Sequence, residues 1–385
     1  MFYVSRLPTV LLRSAAIFLG VAAWSGCGRL EPPHDAAPPH DAAPPPDRAA
    51  LCDRIDAALA HARDARRLDA AVHGGWQVVH GILAFGPALP LAHEAGESSA
   101  LDYLLGGGRL TGWILRPGSH GVVAVVEPGS TMGQGHPDQW LGYLSQCGVV
   151  AGGRPAGIPL DTPLQLAGRG RDGAGDTAGG DFTLTVGDLL AQAKHDIRPG
   201  QEATWTLMAL AAWEPDATWA AGDGSRWTVE RVVAMEADAD IVSAACGGAH
   251  RLYGLATALD ARRRAGHDPA AERADSGWAA ARATLEEYLE RARRFQQADG
   301  SFSTHSFERP GTSPDVFSRL SATGHVFEVL ALALDDDRLG EPWVVRAADR
   351  LTTLLEQTAD LDVECGALYH AAHGLAIYRG RICGR

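Results

Sequence analysis

Cys246 and His250 lie four residues apart, which on a helix puts both side chains on one face. Cys365 recurs with His370 and His373 one and two turns behind it. Thiolates and imidazoles are the usual protein ligands of zinc. A few of them converging, with one coordination position left open, would make a centre able to polarise a carbonyl or activate water. The candidate metal ligands are therefore Cys246, Cys365, His250 and His370. Plain packing is the alternative, because cysteine is a common small buried residue. A wider set could do acid–base work or hydrogen-bond a ligand: His80, His136, Asp138, His250, Tyr253, His325, Glu328, His370 and His373. His73, Trp76, Trp140, Trp205 and Glu364 accompany them, and the indoles could stack on a sugar or hold an apolar chain. For each histidine, the plainer role is a hydrogen bond to the end of a neighbouring helix.

These residues sit on a recurring kind of helix. Residues 245–260, ACGGAHRLYGLATALD, open with small residues and a histidine and continue almost wholly apolar, the pattern of a helix buried all round. Five more stretches share the design, beginning near His73, Gly135, Ala203, Leu320 and Glu364. Amphipathic stretches alternate with them at residues 51–62, 98–105, 186–193, 227–235, 276–297 and 344–356. Six outer and six inner helices predict an all-α fold, an α/α6 toroid of six helical hairpins, with residues 51–385 as its domain. An open solenoid of the same pairs competes with it. Closure is preferred because the inner helices have no polar face to give to water. Inner helices converging on one axis need small residues at their crowded starts, and they would bring the candidate residues to one mouth. Residues 111–115 and 122–126 are apolar runs joined by RPGSHG, which predict a small β-hairpin insertion. Residues 149–181 read as a Gly- and Asp-rich loop, in which Asp172, Asp176 and Asp181 fit no calcium motif.

Residues 293–302, RRFQQADGSF, close the fifth outer stretch. They resemble the hairpin-turn signature of terpenoid cyclases and protein prenyltransferases, with Gln296 or Gln297 as the Gln and Asp299-Gly300-Ser301-Phe302 as the turn. The resemblance implies the α/α toroid and, since fold does not determine chemistry, nothing firm about activity. Squalene-type cyclases carry a D-x-D-D acid motif. Asp238-Ala-Asp240, Asp335-Asp-Asp337 and Asp360-Leu-Asp362 do not match it and read as solvated helix ends or turns. Prenyltransferases hold zinc with Asp, Cys and His, and lanthionine cyclases hold it with two Cys and a His. Neither local motif is reproduced, so the expectation is no cofactor, with zinc as the alternative.

Arg6 and Arg13 flank an apolar stretch at residues 14–23 that is too short to span a bilayer. Trp24-Ser25-Gly26-Cys27 then resembles a bacterial lipobox, with Trp24 where Leu is usual. The resemblance implies a lipoprotein signal peptide over residues 1–26, a lipid on Cys27 and membrane attachment through it. Gly28 occupies the position where inner-membrane lipoproteins carry Asp, which implies an outer-membrane address in the cell envelope. Residues 27–50 form a Pro-rich tether containing PPHDAA twice. The net charge of -13, with no Lys/Arg cluster, excludes a nucleic-acid partner. Lipidation of Cys27 would leave five of the six cysteines, an odd number. Export permits disulfides, and Cys52 with Cys383 would clasp the ends of the domain.

Three functions are compatible with these features. One is a toroid that binds a glycan, an apolar ligand or a partner in its cavity without turnover. Another is a glycan lyase or hydrolase using cavity histidines and carboxylates. The third is a zinc enzyme using Cys246, Cys365 and a histidine. A terpene cyclase is disfavoured, because the acid motif is missing and export would remove the protein from prenyl diphosphates.

Overall fold

The computed structural model describes residues 46–64, 66–130, 135–150, 153–166 and 183–384. The signal peptide, Cys27, most of the tether, and Asp172, Asp176 and Asp181 lie outside them. Helices make up about 53% of the described residues, so the fold is mostly helical.

The first helix, α1 (Arg48–Asp64), buries Leu51, Ile55, Ala58 and Ala62, a single stripe at helical spacing. In α2 (Gly75–Phe85), by contrast, every residue from Val78 to Ala84 is buried. The alternation continues through α3 (Ala100–Leu105), α4 (Gln139–Leu144), α5 (Val186–Asp196), α6 (Thr204–Trp213), α7 (Val229–Ala237), α8 (Ala249–Arg264), α9 (Gly277–Arg294) and α10 (Val316–Ala333). A short α11 (Asp336–Leu339) precedes α12 (Pro342–Gln357) and α13 (Cys365–Ile382). Among the buried helices, α2 packs on α4, α4 on α6, α6 on α8, α8 on α10 and α10 on α13, and α13 packs back on α2. The amphipathic helices flank them: α7 and α9 pack on α8, α12 on α10, and α1 on α12 and α13.

Caps account for several boundaries. Ser276 accepts from the Ala279 amide and starts α9. Asp315 accepts from the Phe317 and Ser318 amides, so α10 begins four residues before the apolar run that marks it in the sequence. Asp335 caps α11, which is why that acidic cluster sits at a helix start.

The closest helix pair is α10 with α13, and glycine permits the approach. A Cβ on Gly324 would lie 2.9 Å from the Ala371 nitrogen, and one on Gly374 would lie 3.0 Å from Glu328 Cα. That contact sets Glu328 of α10 between His370 and His373 of α13.

A second buried carboxylate holds three helices together. Glu236 of α7 accepts from the Ala203 amide at 2.7 Å, the Thr204 hydroxyl at 2.6 Å and Arg251 of α8 at 2.8 Å. Burial pushes its pKa up, opposed by these three partners. Glu236→Ala would leave Arg251 and the start of α6 unpaired. It is expected to cost about 3–5 kcal/mol in urea unfolding, and a loss below about 1 kcal/mol would contradict that role.

The predicted hairpin forms from Trp113–Pro117 and Val122–Val126, pairing antiparallel with Trp113 opposite Val126. Further pairings were not anticipated. Leu68–Asp69 runs parallel to Pro90–His93, which pairs antiparallel with Gly96–Ser99. Thr218–Ala220 pairs with Arg226–Thr228. Gly148–Val150 with Arg154–Ala156, and Pro163–Leu164 with Leu184–Thr185, make short ladders where the sequence reads as loop. Runs of two to four residues carry too little alternation to be read.

Cys52 of α1 and Cys383, just past α13, form a disulfide with Cα atoms 5.8 Å apart. Cys147, Cys246 and Cys365 are free thiols. Among the described residues, no helix is long and apolar enough to cross a membrane.

Candidate metal centre

Among the described residues, the start of α8 has the longest run of left-handed backbone. Residues 245–248 form a single 3-10 turn in which Cys246 (φ 54), Gly247 (φ 62) and Gly248 (φ 84) are all left-handed. Glycine adopts this conformation freely, whereas for cysteine it costs on the order of 1–2 kcal/mol. Ser306, also at positive φ (49), backs the turn: a Cβ on Gly247 would lie 2.6 Å from its hydroxyl. The strained turn brings Cys246 to His250 of α8 and His325 of α10. One donor atom from each, sulfur and two nitrogens, lies within 4.8 Å of the others.

The protonation pattern suits a ligand set. His325 donates from Nδ1 to the Ser321 carbonyl at 2.8 Å, one turn back, so its Nε2 keeps a lone pair. Both ring nitrogens of His250 are buried and unpartnered. Burial holds the His250 pKa well below the ordinary histidine value, with His370, His325 and His136 adding to the effect. The neutral imidazole that results is the form that binds metals. Burial, followed by Glu202, Glu328 and Glu364, pushes the Cys246 thiol up to about 12. A cation at the site would reverse that balance, because a coordinating thiol is deprotonated.

A buried polar shell surrounds this group. Glu328 accepts from Nδ1 of His370 at 2.9 Å and Nδ1 of His373 at 2.6 Å. Burial alone would raise the Glu328 pKa, but the two histidines outweigh it and hold the carboxyl well below its usual range. Burial lowers the His370 pKa against the pull of Glu328. His80 donates to the Trp76 carbonyl at 2.6 Å and accepts from Tyr143 at 2.8 Å, and Tyr143 in turn accepts from Gln139 at 3.1 Å. Ring centroids are 4.1 Å apart for His325 and His370, 5.2 Å for His250 and His370, and 5.1 Å for His80 and His370. On the other side of His250, His136 pairs through Nδ1 with Glu202 at 2.9 Å. The His136 and His250 rings meet edge-on with centroids 5.5 Å apart. The Trp205 indole nitrogen and the Tyr253 hydroxyl are also buried and unpartnered, and the Trp205 ring lies 5.0 Å from His250.

Of the residues read from the sequence, Cys246, His80, His136, His250, Tyr253, His325, Glu328, His370 and His373 come together, with Trp76 and Trp205 beside them. Cys365 stands apart from the three-donor group, and its thiol lies against the Gln77 side chain. His370 reaches the cluster with its Nδ1 already committed to Glu328. Asp138 precedes α4 at φ 59 and accepts from the Thr206 hydroxyl at 2.5 Å, and burial raises its pKa to about 6. His73 stays with Asp69, Trp140 stacks on Trp113, and Glu364 caps α13.

Sequence reasoning missed Tyr143, Gln139 and Glu202. Tyr143 lies seven residues after His136 on an apolar helix, and Glu202 stands just before α6; neither carries a local signal that marks it. His325 entered as an acid–base candidate, and the histidine spacing alone carried no sign that it would meet Cys246 across 79 residues of chain. Comparison with known proteins found no match: no family model, no curated protein and no solved structure matches this chain.

Proposed function

We propose that this chain is a zinc-type metalloprotein in which six helical pairs close into an α/α6 toroid, with one divalent ion held on its axis by Cys246, His250 and His325. The observation that carries this reading is the convergence of those three donors within 4.8 Å. One sulfur and two nitrogens suit zinc, and three protein ligands are the number found in catalytic rather than structural zinc sites. Supporting closure, each inner helix packs on the next and α13 packs on α2. A toroid that only enclosed an apolar ligand would need neither a strained cysteine nor an imidazole with both nitrogens unpartnered. When bound, the ion would supply Lewis acidity toward a carbonyl or phosphoryl oxygen. The chain's own residues would hold and orient it within a buried shell of histidines.

The test is metal content. Reduced protein equilibrated with zinc and desalted should retain one equivalent, and Cys246→Ser and His250→Ala should each lose it. Wild-type protein that retains none would sink the reading. The His370–Glu328 and His136–Glu202 pairs favour a second reading, an acid–base lyase or hydrolase acting on a glycan. Glycan turnover that survives exhaustive chelation would select it.

The lipobox-like WSGC supports lipid attachment at Cys27 and an outer-membrane address. Labelled palmitate should enter the wild-type protein and not Cys27→Ala. Equal labelling of both would refute lipidation at this residue.

A further inference from the structure

Three imidazole nitrogens at this centre have no partner: both ring nitrogens of His250 and Nε2 of His136. The two side chains are buried, His250 at 5% relative exposure and the His136 side chain at 8%. Unsatisfied polar atoms at such depth are costly, and three adjacent ones call for a reason. The His136 tautomer is set by Glu202: Nδ1–H donates to the carboxylate at 2.9 Å, so Nε2 is an acceptor without a donor. If one nitrogen of His250 binds an ion, the other must carry a proton, which makes it a donor without an acceptor. One ion and one hydrogen bond would then satisfy all three atoms.

We infer that His136 and Glu202 form the outer shell of the metal site, with the free N–H of His250 donating to His136 Nε2 and Glu202 fixing His136 behind it. This rests on the proposed metal reading. The ring separation of 5.5 Å is close to that of two hydrogen-bonded imidazoles, about 5 Å when the nitrogens are at normal distance. Outer-shell acceptors of this kind hold a ligating imidazole in one tautomer and one orientation. His136 and Glu202 are thus positioning residues, with no contact to the ion. Glu202 reaches solvent, its side chain being 20% exposed, so its substitution disturbs little packing.

The experiment is zinc affinity by chelator competition on the purified, reduced chain, using wild type, Glu202→Gln, His136→Leu and His136→Gln. Glu202→Gln and His136→Leu are expected to weaken zinc about 10–100-fold. His136→Gln keeps an acceptor oxygen and should recover most of that loss. In the cobalt-loaded forms, the thiolate charge-transfer band of Cys246 should persist at one wavelength in all four proteins, since the ligands are unchanged. Wild-type affinity in both Glu202→Gln and His136→Leu would overturn the outer shell while leaving the metal site intact. A shifted cobalt spectrum in His136→Leu would overturn it differently, by making His136 a ligand. Absence of zinc binding in the wild type would remove the underlying site instead.

Discussion

In the presence of chelator, the protein is expected to lose stability steeply as the pH falls from 6.5 toward 5. His80, His250 and His370 are all held below the ordinary histidine pKa. Burial is the first cause in each case. His370 adds to it at His80 and His250, and Glu328 opposes it at all three. In the unfolded chain the same three groups take up protons near pH 6.5. Below that value the unfolded state binds more protons than the folded one, so stability falls with pH. The slope rises toward about 1.4 kcal/mol per pH unit for each histidine held well below its unfolded value, as His80 and His250 are, and His370 adds to it. Because the slope is only half its full value at the unfolded pKa, His80 and His250 together give a loss of roughly 3 kcal/mol by pH 5, and His370 adds to it.

Glu328 acts in a lower window. Its folded pKa is depressed, so its contribution is present above the carboxylate range and is lost only as the pH falls through its folded value. It cannot set the onset near 6.5. Urea denaturation at half-unit pH intervals measures the slope. His80→Gln should reduce it by between about one third and one half, because one proton-linked group is gone. A denaturation midpoint that stays flat between pH 7 and 5 would show that the histidines are not held neutral.

The helices were legible in the sequence because their signal is periodic. Leu51, Ile55, Ala58 and Ala62 make a stripe, and the buried helices lack one, so order and type both follow from composition at helical spacing. The Cys52–Cys383 pairing was also within reach, because both lie at the ends of that pattern. The short strands were not, since two or three residues cannot show alternation. At the site, the sequence supplied residue types without depth. Cys365 and Cys246 occupy equivalent helix starts, yet only Cys246 sits in a left-handed turn that brings it to His250. The deciding contact, His325 with Cys246, depends on how α10 packs on α8 and the turn that opens it. No local pattern records a distance between helices. The same holds for Glu202, whose part depends on meeting His136 across 66 residues.

Removing the disulfide should have the second large effect. Cys52 and Cys383 are 331 residues apart, so the bond ties the first helix to the last. The chain-entropy estimate for a loop of this length is about 5–6 kcal/mol, and native bonds commonly deliver about 2–5 kcal/mol of it. Non-covalent contacts at the same seam offset part of the loss: Arg379 pairs with Asp56 at 2.7 Å and Arg54 with Glu356 at 2.7 Å. Those pairs are solvent-exposed, and each contributes no more than about 1 kcal/mol. Cys52→Ser with Cys383→Ser is therefore expected to fold, with stability lower by about 3 kcal/mol and a melting temperature lower by roughly 4 °C for a domain of this length. Zinc content should be unchanged, because neither cysteine approaches the Cys246 group. A double variant that melts with the wild type would mean that the packing of α1 on α12 and α13 holds the ends without the bond. Loss of zinc in the same variant would mean that the ends and the centre are coupled through α13, which carries both the seam residue Arg379 and His370.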